Sequence, residues 1–171
     1  MQQDGRKTGG KEQMKAISLW LPWAQFIALK LKKIETRSWN APDYLIGQRI
    51  AIHATAKMPG WVKKLLRGFA KLIGIEEYNG SWLYYLENGV GPFGKVVATA
   101  KLVACEKIIS DEKYHHMACL KSGRDIVGNE YHFGDYTPGR YAWILDDIQA
   151  LPEPVPAKGM QGLWEWKEDK Q

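Results

Sequence analysis

Only two cysteines, Cys105 and Cys119, occur in 171 residues. That is too few for a disulfide-stapled secreted scaffold and fits a reducing compartment, where each stays a thiol. No run approaches the ~20 apolar residues that a membrane-spanning helix requires. The amino terminus lacks the basic-then-apolar order of an export signal. The expectation is a cytoplasmic chain with no membrane association. Acidic residues are missing from residue 44 to residue 75, an interval that holds Arg49, Lys57, Lys63, Lys64, Arg67 and Lys71. Without counter-charge the field there is positive, and a net charge of +5 makes polyanions the natural class of partner. Also missing are a Walker loop, a dinucleotide-binding glycine pattern and a nucleophile elbow. His115, His116 and Cys119, with Cys105 upstream, lack the paired C-x-x-C spacing of a zinc site. No cofactor and no metal are expected.

What the chain has in quantity is apolar residues, at 45%, and tryptophan, at 8 of 171. The first is ample for one core that needs neither disulfide nor metal. The second supplies flat, polarizable surface that fills a core or stacks on a base. Residues 1–13 are polar, rich in Gly and Lys and without hydrophobic period, so a disordered tail is expected there and a single domain over 14–171.

Along the domain, Ala16 to Trp20 reads as a strand, and Pro22 opens a helix that runs to about Lys33. Ile34 to Trp39 is extended, and Arg49 to Ala54 is a strand rich in β-branched residues. Trp61, Leu65, Phe69 and Leu72 or Ile73 recur at helical steps, which predicts one basic amphipathic helix over residues 59–73. Residues 78–92 carry two Asn-Gly pairs and read as an irregular insertion with a short helix or hairpin. Residues 95–109 alternate as a long strand, and Ser110, as a cap ahead of Asp111 and Glu112, starts a helix that carries His115, His116 and Cys119. Residues 125–139 are turn-rich, Tyr141 to Leu145 is a strand, residues 151–156 with three prolines form an extended connection, and Leu163 to Trp166 is the last strand. The class is α+β: a small mixed, barrel-like sheet with surrounding helices rather than a parallel βαβ array.

The densest chemistry lies in Lys30-Leu31-Lys32-Lys33-Ile34-Glu35-Thr36-Arg37-Ser38-Trp39. Strand alternation puts Glu35, Arg37 and Trp39 on one face. A carboxylate accepts from a base amino group, a guanidinium binds phosphate with two parallel bonds, and an indole stacks, so this row can read a nucleotide. It can equally be a salt-bridged face in which Glu35 pairs with Arg37 or Lys32. Trp20, Trp39 and Trp164 are candidate cleft walls, whereas Trp61, Trp143 and Trp166 are expected in the core. His53, at the end of an apolar strand, is either a packed strand residue or a direct participant. Lys158, Gly159 and Gln161 can approach a phosphate or base, since glycine lets the backbone come close.

These residues resemble a known family. Residues 30–37 resemble the G-x-K-x-x-E-x-R signature of ASCH domains, with Lys32, Glu35 and Arg37 in its polar places and Lys30 where the signature has glycine. Ser18-Leu19-Trp20-Leu21-Pro22-Trp23-Ala24 is similar to the family's early S-L/I-x-x-P-W/Y-A segment, with Leu21 where glutamine is frequent. Residues 47–54 resemble its G-x-x-x-I-H-A strand. Residues 133–136, 138–143 and 156–164 are similar to phage- and bacterial-type members, so the resemblance covers residues 14–166.

The resemblance implies a PUA-like β-barrel whose cleft, beside the signature, holds RNA or a modified nucleoside, with single-stranded DNA as a further ligand and the chain acting as a monomer; with the residues above, that cleft is expected to be basic and tryptophan-lined. Activities across the family differ, so fold does not settle function. Besides plain binding, the resemblance leaves two hydrolase chemistries open. A metal-independent ribonuclease would use Lys32, Glu35 and Arg37, with His53, as proton acceptor and phosphorane-stabilising cations. In amidohydrolases of acetylated cytidine, a lysine and a threonine of the signature and a later glutamate are catalytic. Lys32 matches that lysine, but Glu35 stands in the threonine's place and cannot be the same hydroxyl nucleophile. A protein-interaction module built on the basic helix over residues 59–73 is the reading without nucleic acid.

Overall fold

The computed structural model describes residues 13–167. The expected tail therefore lies outside the described residues except Gln13, which is already strand and pairs with Lys167. Eight strands form the framework: β1 (Gln13–Leu19), β2 (Ile34–Arg37), β3 (Arg49–Ala54), β4 (Lys95–Glu112), β5 (Met117–Leu120), β6 (Asp125–Ile126), β7 (Tyr141–Pro156) and β8 (Leu163–Lys167). Five short helices accompany them: α1 (Trp23–Ala28), α2 (Gly60–Lys63), α3 (Leu66–Leu72), α4 (Trp82–Glu87) and α5 (Gly128–His132). The main order is β2-β7-β4-β3-β1-β8, with β5 and β6 attached to the far end of β4. Every pairing is antiparallel except β1 with β3, whose register sets Ser18 beside His53. The α+β class is as expected, but the sheet does not close into a strict barrel, because β2 and β8 end the path.

β4 and β7 are the spine. Their pairing runs from Lys95↔Pro156 to Lys107↔Tyr141 and shifts register at three places. Each bulge adds local twist and bends the strands. This lets one long ribbon curl over α1, where Phe26, Ile27 and Ala24 meet Trp143 and the apolar faces of β1 and β3 in the main core. A smaller cluster on the far side packs Ile34, Ile108, Leu120, Ile126 and Tyr136. Trp164 and Trp166 cover Ala16, Ala51 and Val96 in a third. The proline-bearing segment 151–156 is extended as expected and belongs to β7.

Three expectations are corrected. The first helix stops at Ala28 instead of Lys33, because Leu31 N and Lys32 N both return to the Phe26 carbonyl and Lys30 takes a left-handed φ of 61°. Such a terminus favours glycine, which is what the ASCH signature has at the place of Lys30. The basic helix over residues 59–73 is two helices, α2 and α3, and its buried seam is Val62, Leu66, Phe69 and Ala70. Trp61 and Leu65 lie outside that seam at 53% and 41% exposure, so Trp61 is not a core residue. Ser110 does not cap a helix: it continues β4, pairs with Cys119 of β5, and leaves His115 and His116 in the turn between the strands. No helix among the described residues is long and apolar enough to cross a membrane.

A non-glycine residue held left-handed carries strain of ~1 kcal/mol or more, partly offset by the greater chain entropy that glycine loses on folding. Lys30→Gly is expected to raise stability by up to about 1 kcal/mol, a gain of ~2–4 °C in Tm for a chain of this size. An unchanged or lower Tm in thermal unfolding would contradict this account of the α1 terminus.

Candidate functional site

A cavity of 920 Å³ opens where the carboxyl ends of β1 and β3 meet β2. Its polar floor is Ser18 from β1, Glu35, Thr36 and Arg37 from β2, and His53 from β3. One wall is aromatic, from Trp20, Trp23, Trp61 and Phe69. These rings brace each other, with Trp20 edge-on to Trp61 at 5.5 Å and Trp23 against Trp61 at 6.1 Å and Phe69 at 5.9 Å. The segment following α5, including Asp135, closes one side, and residues 157–162 close another.

Lys32, expected at the polar centre, does not reach the cavity. Its side chain is fully buried, and its Nζ donates to the Phe133 carbonyl at 2.9 Å and to the Ile34 carbonyl. It also faces Glu35 Oε2 at 3.6 Å. Buried ammonium groups need such a shell because bare charge in a dry interior is costly. Lys32 is thus a positioning residue that holds Glu35 from behind, while Arg37 Nε flanks the other carboxylate oxygen at 3.3 Å. That last contact is an ion pair without hydrogen-bond alignment, since Nε has no hydrogen-bond partner. Arg37 Nη2 donates to the Ser18 carbonyl at 3.0 Å, tying β2 to β1 across the floor. Glu130 of α5 accepts from Lys33 N at 2.8 Å and Ile34 N at 3.1 Å, so the turn into β2 is clamped.

A second chain of contacts crosses β1 and β3. Trp164 Nε1 donates to Ser18 Oγ at 3.1 Å, Ser18 Oγ lies 3.0 Å from His53 Nδ1, and His53 Nε2 lies 3.1 Å from the Ala157 carbonyl. Burial pushes the His53 imidazole below its usual value, only partly opposed by the Ala157 bond, so the neutral ring is favoured. Gly159 seals this chain: a Cβ there would fall 2.2 Å from His53 Cε1 and 2.8 Å from Ser18 Oγ. Burial also pushes the Asp135 carboxyl upward, but the Thr137 hydroxyl and amide and the nearby Arg140 outweigh it and keep it low.

Seven of the expected residues line the cavity: Trp20, Glu35, Arg37, His53, Lys158, Gly159 and Gln161. Trp39 does not, because β2 ends at Arg37 and alternation lapses; its ring packs edge-on against Trp143 at 4.7 Å. Trp164 is buried beneath the floor and acts through Ser18. Nor is the lining basic. Arg37 and Lys158 are balanced by Glu35 and Asp135, and the exposed Lys63, Lys64, Arg67 and Lys71 stand outside it on α2 and α3. Among the described residues, no group of three or more His, Cys, Asp or Glu gathers to hold a metal ion.

No family model and no curated protein matches the chain. Among solved structures, it is similar to a crystal structure of ASCH from Zymomonas mobilis at 18% identity, over 84% of this chain and 73% of that one, with a TM-score of 0.43. A mutant of the same Zymomonas mobilis protein aligns at 20% identity over 84% and 75% of the two chains, with a TM-score of 0.42. Neither likeness assigns a role to any residue here.

Ser18, Trp23, Thr36, Trp61, Phe69, His132 and Asp135 also line the cavity and were not expected there. For Ser18 a signal existed: a polar residue two places before Trp20, at the end of an otherwise apolar strand. Trp61 had a signal too, as an indole at the edge of a helical stripe broader than the core can use.

Lys32→Met should cost about 3 kcal/mol in urea unfolding, since it strands Glu35 and two carbonyl groups without their cation; a loss under about 1 kcal/mol would show that the ammonium is not the keystone. For His53 the folded value is lowered, so its contribution is complete above pH ~6.5 and declines as pH falls through the folded value. Urea midpoints between pH 7 and 5 should fall more steeply for the wild type than for His53→Gln; parallel profiles would contradict the assignment.

Proposed function

We propose that the chain is an ASCH-type domain whose cavity takes one nucleobase of RNA or of a modified nucleoside. The observation that carries this reading is a wall of three tryptophans facing a floor of fixed hydrogen-bonding groups in a single cavity of 920 Å³ with balanced lining charge. An aromatic wall offers stacking to any base, and the Glu35 carboxylate offers an acceptor to base N–H groups. Charge balance suits a neutral ring better than a string of phosphates. The residue pattern of the signature, read with this geometry, supports the ASCH assignment.

For RNA, the backbone would leave the cavity along α2 and α3, where Lys63, Lys64, Arg67 and Lys71 are exposed next to Trp61 and Leu65. Such contacts position a strand without reading its sequence. Lys32 touches two carbonyl groups and Glu35 rather than the cavity, so it supports binding through Glu35 and not direct attack on a ligand.

Titration of intrinsic tryptophan fluorescence with nucleosides and a short unstructured RNA tests the proposal. Trp61→Ala should weaken both by about 5–150-fold, the worth of one stacked base, and the exposed position of Trp61 spares the fold. Lys63→Glu with Lys64→Glu should weaken RNA alone and flatten its salt dependence. If neither ligand binds at millimolar concentration, or Trp61→Ala has no effect, the reading fails.

A further inference from the structure

A serine hydroxyl normally gives one hydrogen bond and takes two, so it suits either kind of partner. Ser18 has lost that freedom. The Ala157 carbonyl can only accept, so the His53 Nε2 at 3.1 Å must carry the hydrogen. In the neutral ring Nδ1 is then an acceptor, and the hydroxyl 3.0 Å away gives it its only proton. The Trp164 indole N–H can only donate and occupies one of the two oxygen lone pairs, at 3.1 Å. What remains on this cavity-lining hydroxyl is a single lone pair.

The Glu35 carboxylate is likewise an acceptor, held between Lys32 Nζ at 3.6 Å and Arg37 Nε at 3.3 Å. The two acceptors are tied together, because the Arg37 guanidinium that flanks Glu35 also bonds the Ser18 carbonyl. Arg37 Nη2 is thereby committed to Ser18 and Arg37 Nε is buried beside Glu35 without a hydrogen-bond partner, while Lys158 and Gln161 sit on the exposed rim, not the floor.

We infer that Ser18 Oγ and the Glu35 carboxylate recognise the ligand through its N–H donors, selecting bases that bear an exocyclic amino group, with Ser18 as a specificity-determining residue that accepts and cannot donate. This deepens the nucleobase reading and rests on it. Adenine, cytosine and guanine each present an amino group to such a floor. Uracil sets a carbonyl oxygen on either side of its one imino hydrogen, against acceptors that repel it. A dimethylated amino group, with no hydrogen left, is disfavoured for the same reason.

The experiment compares adenosine, cytidine, guanosine, uridine and N4,N4-dimethylcytidine on the full chain. A hydrogen bond to a charged group is worth ~1.5–3 kcal/mol, so at least one amino-bearing nucleoside should bind about 10–150-fold tighter than uridine, and cytidine should exceed its dimethylated form by a similar factor. Glu35→Gln, which turns a pure acceptor into a mixed group, should shrink that ratio below about threefold, and thermal unfolding confirms that it folds. A nitrogen-15 spectrum should show His53 protonated at Nε2 and bare at Nδ1. Uridine binding as well as the amino-bearing nucleosides, or a ring protonated at Nδ1, overturns the inference while leaving the nucleobase reading in place. Binding of none of the five overturns both.

Discussion

An ammonium group without water around it must be ringed by acceptors, and the Lys32 side chain draws two parts of the chain together to supply them. The Ile34 carbonyl and the Glu35 carboxylate come from the start of β2, and the Phe133 carbonyl from the end of α5. A buried cation of this kind earns little net stability over a well-packed apolar group, but once present it is intolerant of a missing partner. Its effect is to orient. The segment after α5 cannot drift from β2, and Glu35 cannot swing away from the cavity, where Arg37 meets it from the other side. The Glu130 carboxylate, bonded to two amides at the entry of β2, reinforces the same junction.

Much of this was legible in residue order. β3 falls on the expected residues, the alternation of residues 95–109 marks most of β4, and Trp143 is fully buried as its strand context implies. What was not legible depended on tertiary partners. A run such as Ser110-Asp111-Glu112 has the local chemistry of a helix start, yet β5 offers it a ladder of backbone bonds that a lone sequence window does not contain. The length of α1 was set by a carbonyl, Phe26 O, that two later amides share; no periodicity encodes that choice.

The site shows the same division. Side-chain types were informative: a carboxylate, a guanidinium and a histidine do converge on one floor. Depth was not, because charge alone does not say whether a lysine ends in water or in the core, and among the described residues Lys32 is the one that is buried. Tryptophans divided by a related ambiguity. An apolar helical stripe looks alike whether it faces a core or a cavity, and the stripe of α2 and α3 does both: Val62, Leu66 and Phe69 are buried in the core, while Trp61, Leu65 and the partly exposed edge of Phe69 face open space.

The parallel pairing of β1 with β3 has an architectural corollary. Two strands running the same way release their chains at the same edge, and here one exit turns into α1 and the other toward α2. Diverging exits leave a crevice between them, as at the switch points of open α/β sheets. Both exits furnish its walls, Trp20 and Trp23 from one, Thr55, Ala56 and Trp61 from the other. The hollow is therefore a by-product of strand order, not something carved from a packed interior. Lengthening or shortening either connection would resize it without disturbing a single rung of the sheet, which makes these two segments the natural places for relatives of the fold to diversify.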